Sequence, residues 1–295
     1  MRRMLLILAA ALGCWALPAE AASPYGVALS PTPVFNVPSF SVVFGGRDGK
    51  TLKTDRCGQV RELEFIALKG AVFRILSQVE ATPAPIYRVA TDDYPVPAGK
   101  ALYVDSRFIE LRDTPPPPRP RSLPRAAEVV ARLRGAIGNP YVWGGNVSSG
   151  VPELARLFYR GASLATGDSR LLAGVDCSGL LYQATDGWTP RNTSELVAFG
   201  SGVPVTGRSA AELARLLRPL DLIVWDGHVV IVLDRETTIE SRLVCGKSGN
   251  GGVMTTPLLR RLEQIMRTRR PVDVWPGGRV GGVFVVRRWY GVERR

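Results

Sequence analysis

The spacing of apolar and polar positions changes character near the middle of the chain. Between about residues 33 and 112, short runs rich in β-branched and aromatic residues recur: SFSVVF, GQVRELEFIAL, AVFRILSQV, IYRVAT and ALYVDSRFIEL. Gly, Pro and Asp turns separate them, and that spacing predicts a small all-β barrel. Asp113 and Thr114 then lead into Pro115 to Pro118, Pro120 and Pro124. Such a stretch cannot enter a sheet or helix interior, so it reads as a stiff linker. Beyond it, RAAEVVARLRGAI and SAAELARLL carry helical periodicity, and SGLLYQA is apolar enough for a buried helix. DLIVW, HVVIVLD, TTIESRLV and GGVFVVRRWY read as strands. The arginine-rich LLRRLEQIMRTRR, near residues 258–270, reads as a helix with a solvated face. The class is α+β, with no internal repeat.

The amino terminus changes this picture first. Arg2 and Arg3 precede the thirteen-residue apolar run LLILAAALGCWAL, and Ala19-Glu20-Ala21 supplies small residues for a cleavage site. The run is shorter than the ~20 residues a membrane span needs, so residues 1–21 read as an export signal. The expected mature chain starts near Ala22, without an integral membrane span, in the periplasm or outside the cell. Gly13-Cys14 leaves a lipoprotein as the alternative. The expected division is signal 1–21, β-barrel 22–112, linker 113–124 and a mixed domain 125–295.

Composition narrows the chemistry. A chain of 295 residues that is 45% apolar builds a sizeable core, which excludes wholesale disorder. Its 31 glycines and 23 prolines argue against a helical bundle. The net charge of +12 favours acidic partners such as carboxylate-rich substrates. There is one histidine, His228, so a multi-histidine metal site is excluded and any thiol–imidazole chemistry must use that ring. No metal or cofactor is expected. Losing Cys14 with the signal leaves Cys57, Cys177 and Cys245, an odd number in an oxidising compartment. Either Cys57 and Cys245 pair and Cys177 stays free, or Cys57 and Cys245 are two buried, inert thiols.

Three segments carry the candidate chemistry. In Asp176-Cys177-Ser178-Gly179-Leu180-Leu181, a cysteine sits where a polar stretch turns into an apolar helix, and a helix start stabilises a thiolate. In Asp226-Gly227-His228-Val229, a glycine precedes the lone histidine and an apolar strand follows, a rigid mount for a general base. Direct pairing of His228 with Glu240, centred on Asp234, would bring a carboxylate to the imidazole. The third segment is the aromatic turn Gly138-Asn139-Pro140-Tyr141-Val142-Trp143-Gly144-Gly145.

Taken in order, PYVWGG, GVDCSGLLYQA, TPRNTSEL, LRPLDLIVWDGHVVIVLD and TIESR resemble the NlpC/P60 family of bacterial cell-wall cysteine peptidases, over about residues 125–290. The resemblance implies a papain-like domain with helices packed on an antiparallel sheet, preceded by a Src-homology-three-like barrel. It implies Cys177 as nucleophile, His228 as base and then acid, and Glu240 in the third polar slot. Tyr141 would line the site and help hold the oxyanion, while Asp176 and Ser178 would bind substrate. Asn192 and Thr193 match an acidic residue and a serine that receive a free amino end in some members.

Three departures stand out. Glu240 replaces the more usual histidine, a competent exchange because a carboxylate orients imidazole well. Asn192 lacks the charge that would pair with an ammonium, and Glu64 or Asp93-Tyr94 of the barrel either replaces it or is ordinary surface. The 33 residues between Trp143 and Cys177 form an insertion expected to be a lid or groove wall. The linker either packs the barrel onto the groove or tethers it independently. The expected function is an exported endopeptidase that cuts stem peptides between D-γ-glutamate and the diamino acid. The alternatives are an amidase or acyltransferase at the same site, or an inert wall-binding protein. The expected partners are peptidoglycan or released stem peptides, not nucleic acid.

Overall fold

A computed structural model describes residues 24–80, 83–96, 98–160, 171–246, 250–278 and 281–291. The expected signal over residues 1–21 lies outside the described residues. Among those described, no helix is long and apolar enough to cross a membrane.

The first half is built from β1 (Tyr25–Ala28), β2 (Thr32–Phe35), helix α1 (Phe40–Val43), β3 (Phe44–Gly45), β4 (Thr51–Leu52), β5 (Leu63–Ala67), β6 (Val72–Glu80), β7 (Ile86–Ala90), β8 (Leu102–Asp105) and β9 (Ile109–Arg112). Two expected strands are recast. SFSVVF begins as a helical turn because Phe40 and Val43, three apart, are both buried while Val42 faces solvent. ALYVDSRFIEL breaks in two because the Asp105 carboxylate accepts the Arg107 N–H at 2.9 Å and turns the chain.

Seven of these strands form one antiparallel sheet in the order β5-β2-β8-β7-β6-β1-β9. A closed barrel was expected, but among the described residues no pairing joins β5 to β9. The sheet nevertheless curls on a single core that takes Phe65 from β5 and Ile109 from β9. The β5 edge is covered by a side chain rather than a strand. Asn146 accepts the Ile66 N–H at 3.0 Å and donates to its carbonyl at 2.8 Å, which satisfies Ile66 on the open edge.

The second half begins with α2 (Ala126–Gly135), β10 (Asn146–Val147), α3 (Pro152–Phe158), β11 (Gly174–Val175), α4 (Cys177–Ala184) and α5 (Thr193–Leu196). There follow β12 (Ser201–Gly202), α6 (Ala210–Leu216), β13 (Leu222–Trp225), β14 (His228–Val232), β15 (Thr237–Leu243), β16 (Gly251–Pro257), α7 (Leu258–Met266), β17 (Arg270–Pro271) and β18 (Val283–Arg288). The main sheet is antiparallel in the order β12-β18-β13-β14-β15-β16, with β17 parallel to β18. Its strands are apolar on both faces because helices cover both. Leu222, Val224, Val229 and Ile231 pack with residues of α2 and α4. Ile223, Val230 and Val232 pack with residues of α6 and α7.

The halves are not tethered loosely. Phe35, Phe40, Leu63 and Ile66 share a core with Val151, Leu154 and Leu172. Cys57 is bonded to Cys245 across 188 residues of sequence, which decides the question the cysteine count left open. The proline-rich segment also docks on both sides. Arg119 donates to the Asp186 carbonyl, and Arg121 pairs with Asp93. The 144–176 insertion supplies Gly144 and Asp176 to the wall of the groove, and its described part also bridges the halves. Phe158 of α3 packs on Phe40 and Phe44, so this stretch joins the two halves. Residues 161–170 of it lie outside the described residues.

Candidate active site

Cys177 is the first residue of α4, and Asp176 caps that helix by accepting the Gly179 N–H at 2.6 Å. The cysteine is buried, at 7% exposure, and is the unpaired one among the described residues. The close approach of α4 to Gly145 depends on Gly179, since a Cβ there would lie 2.0 Å from the Gly145 carbonyl oxygen.

His228 opens β14 directly after the two-residue turn Asp226-Gly227, where Trp225 pairs with His228 and Gly227 adopts φ +92°. Thr193 fixes that turn by accepting the Gly227 N–H at 3.0 Å. The Gly227 carbonyl lies 3.9 Å from the Cys177 sulfur. Helix start and strand start thus meet through one tight turn.

Glu240 reaches His228, but not by the expected register. The hairpin pairs Ile231 with Ile239 and Val232 with Thr238, so the reversal centres one residue later than Asp234. His228 and Glu240 are therefore diagonal neighbours on one face, not direct partners. His228 Nε2 and Glu240 Oε2 are 2.6 Å apart, which leaves Nδ1 for the hydrogen bond with Cys177. Burial opposes charge on the imidazole. The charge and hydrogen bond of the Cys177 sulfur, together with Glu240, more than offset that, raising His228 to about 9. Burial likewise opposes charge on Glu240, and the His228 and Arg261 partners outweigh it to leave the carboxylate below its usual range.

Arg261 escaped the sequence reading, which placed LLRRLEQIMRTRR on a solvated face. Leu258, Leu262 and Ile265 of α7 enter the core, and Arg261 follows them inward. Its Nη2 donates to Glu240 Oε2 at 2.8 Å, and its Nε lies 2.7 Å from Oε1. The missed signal was spacing, since Arg261 lies within the apolar 258–262–265 stripe. Arg191 was missed as well. It is 1% exposed, donates to Asp176 at 2.7 and 3.0 Å and to Ser178 Oγ at 2.9 Å, and reaches the Asn146 side chain and the Gly145 carbonyl.

The remaining expected residues divide into free and committed ones. Tyr141, Trp143, Asp176, Cys177, Ser178, Asn192, Thr193 and Gly227 line a cavity of about 120 Å³, together with Glu64 and Tyr94 from the first half. Asp176 and Ser178 are engaged by Arg191, and Thr193 by Gly227, so these three shape the site. Tyr141 is held above the ordinary tyrosine range by burial and by the nearby Asp176 and Cys177 charges. It stays a neutral hydrogen-bond donor. Gln59 grips its segment by accepting the Trp143 N–H at 2.8 Å, and the Arg61 guanidinium lies 4.5 Å from the Trp143 ring centre. Of the barrel candidates, Glu64 and Tyr94 face the cavity. Asp93 instead turns to Arg121.

No family model and no curated protein matches the chain. Among solved structures, an NlpC/P60 family protein from Bacillus cereus is 18% identical, with a TM-score of 0.33. The match covers 92% of this chain and 64% of that one, so this chain spans under two thirds of its length. RipD from Mycobacterium tuberculosis, described as a non-catalytic NlpC/p60 domain protein adapted to peptidoglycan binding, is 20% identical with a TM-score of 0.31. That match covers 55% of this chain and 95% of RipD. NlpC1 from Trichomonas vaginalis is 12% identical with a TM-score of 0.30, over 90% of this chain and 68% of that one. Likenesses of this order carry no functional argument, which rests on the chain's own residues.

Proposed function

We propose that the protein is a cysteine peptidase of bacterial cell-wall stem peptides, cutting between D-γ-glutamate and the diamino acid. The observation that carries this reading is the Cys177–His228–Glu240 line, with the thiol at a helix start and the imidazole between sulfur and carboxylate. The substrate class comes from the motif resemblance, and the basic chain suits its carboxylates.

In the reaction, the Cys177 thiolate attacks the amide carbonyl carbon, and the Cys177 N–H and Tyr141 hydroxyl stabilise the oxyanion. Protonated His228 then gives its proton to the departing amine as the C–N bond breaks, leaving a thioester. Neutral His228 next takes a proton from water. The hydroxide attacks the thioester, releasing the carboxylate and the thiolate. Glu240 holds the ring orientation and favours its charged form throughout.

The test incubates purified peptidoglycan and L-Ala-γ-D-Glu-diamino acid peptides with the protein and with Cys177→Ala, and reads products by mass spectrometry. New ends after γ-D-Glu that vanish in the variant are the expected outcome. If neither substrate is cut by folded protein with a free Cys177 thiol, the peptidase reading fails in favour of another acyl substrate or a binding role.

A further inference from the structure

Glu240 lies on the side of the sheet away from the helix that carries the nucleophile. Ile239 packs with residues of α2 and α4, so the alternation of β15 turns Glu240 toward α7. Val230, Val232, Leu258, Leu262 and Ile265 make that side apolar, a setting in which a carboxylate stays charged only with partners. Among the described residues, the charged groups against it are His228 from β14 and Arg261 from α7. Arg242 of its own strand turns to Met254 Sδ at 3.3 Å, and Arg269 lies over the Trp225 ring beside His228.

The two partners differ in one respect that matters during turnover. His228 gives up a proton to the leaving amine and is then neutral, whereas a guanidinium keeps its charge at every working pH. Arg261 spans the carboxylate. Its Nη2 donates at 2.8 Å to Oε2, the oxygen that meets His228 Nε2 at 2.6 Å, and its Nε lies 2.7 Å from Oε1. We infer that Arg261 is a positioning residue: by holding Glu240 ionised beneath α7 it keeps one proton on His228 Nε2, so that only the Nδ1 proton moves in the two steps. The inference rests on the peptidase reading above and deepens it. A neutral Glu240 would carry that proton itself and donate to Nε2, leaving the ring uncharged with its remaining proton on Nδ1. Such a ring is a far weaker acid toward the leaving amine than imidazolium.

The experiment measures kcat, KM and pH–rate profiles for Arg261→Met and Arg261→Lys. Nitrogen NMR of the labelled imidazole, unambiguous in a chain with one histidine, is recorded on Cys177→Ala with and without Arg261→Met, where the sulfur charge no longer holds the proton on the ring. In Arg261→Met, kcat is expected to fall about tenfold or more with KM within about twofold. Its acid limb is expected to move to higher pH, because Glu240 takes up a proton more readily without the guanidinium. Arg261→Lys keeps a cation there and is expected to return the acid limb. Nε2 is expected to stay protonated throughout when Arg261 is present, and to pass its proton to Glu240 in the acid range when it is not. Adding Arg261→Met to Glu240→Gln removes both charges together, which keeps the test open if Arg261→Met alone does not fold, and is expected to lower kcat no further than about twofold. An unmoved acid limb with Nε2 protonated throughout overturns the inference, as does a larger further loss in that double variant. If the unaltered protein cuts no substrate, the peptidase reading fails, and the imidazole spectra still decide where Arg261 keeps the proton.

Discussion

At the scale of residues, Glu240 joins two cations that approach from different elements, His228 on β14 and Arg261 on α7. Glu240→Gln keeps the shape and loses the charge, and kcat is expected to fall by roughly 10² to 10⁴-fold. Unchanged turnover in both Glu240→Gln and Glu240→Ala would remove this residue from the mechanism. The same charge predicts a pH signature. His228 is raised to about 9, so with its imidazolium as the proposed proton donor kcat/KM is expected to fall only as the pH climbs past that value. In Glu240→Gln that alkaline limb moves to lower pH, because a partner that favoured the proton is gone. A pH–rate profile of each protein checks it. Arg191 makes a different kind of contribution. Arg191→Met leaves Asp176 partly buried without its cation and is expected to cost about 3–5 kcal/mol, read by urea unfolding. Cys177, His228 and Glu240 were legible because the chemistry of each residue type is recognisable in its motif. Arg191 and Arg261 were not, since an arginine looks the same in sequence whether its guanidinium meets water or a buried carboxylate.

At the scale of elements, periodicity located most helices and strands but not their register or their ends. Alternation in HVVIVLD and TTIESRLV identified two strands, and either of two hairpin registers keeps the same residues on the core face. The turn chose between them. Leu233 donates to the Thr237 carbonyl, so the hairpin closes around Arg235 and sets His228 diagonal to Glu240. Local approach decides α4 in a similar way. Gly179→Ala forces the helix away from Gly145, with a cost of about 1–3 kcal/mol and displacement of the adjacent thiol. Slower alkylation of Cys177 in a folded variant is the expected readout. An unchanged alkylation rate would show that the close approach does not position the sulfur.

At the scale of the whole molecule, the two sheets act as one body around the groove. The Cys57–Cys245 bond closes 188 residues of sequence and pins the loop whose Gln59 grips the Tyr141–Trp143 segment. Replacing both cysteines by serine is expected to lower stability by up to about 5 kcal/mol from loop entropy alone. Thermal unfolding with matched unpaired-cysteine controls measures it. Deleting residues 23–112 exposes Val151, Leu154 and Leu172, which pack against the first half. The truncated chain is expected to aggregate rather than form a smaller active enzyme, with size-exclusion chromatography as the check.

Sequence alone determined the α+β class, the proline-rich break, the thiol at a helix start and the histidine at a strand start. Each follows from local rules: side-chain period, barred φ angles, and turn and cap chemistry acting within a few residues. Tertiary structure decided what depends on distant partners. It left the first sheet open with Asn146 on its edge, drew Arg261 and Arg191 inward, and paired Cys57 with Cys245. It also matched Lys100 to Glu64 and so set the charge of the groove. These outcomes turn on which buried groups find a partner, and burial is a property of the packed molecule rather than of any segment.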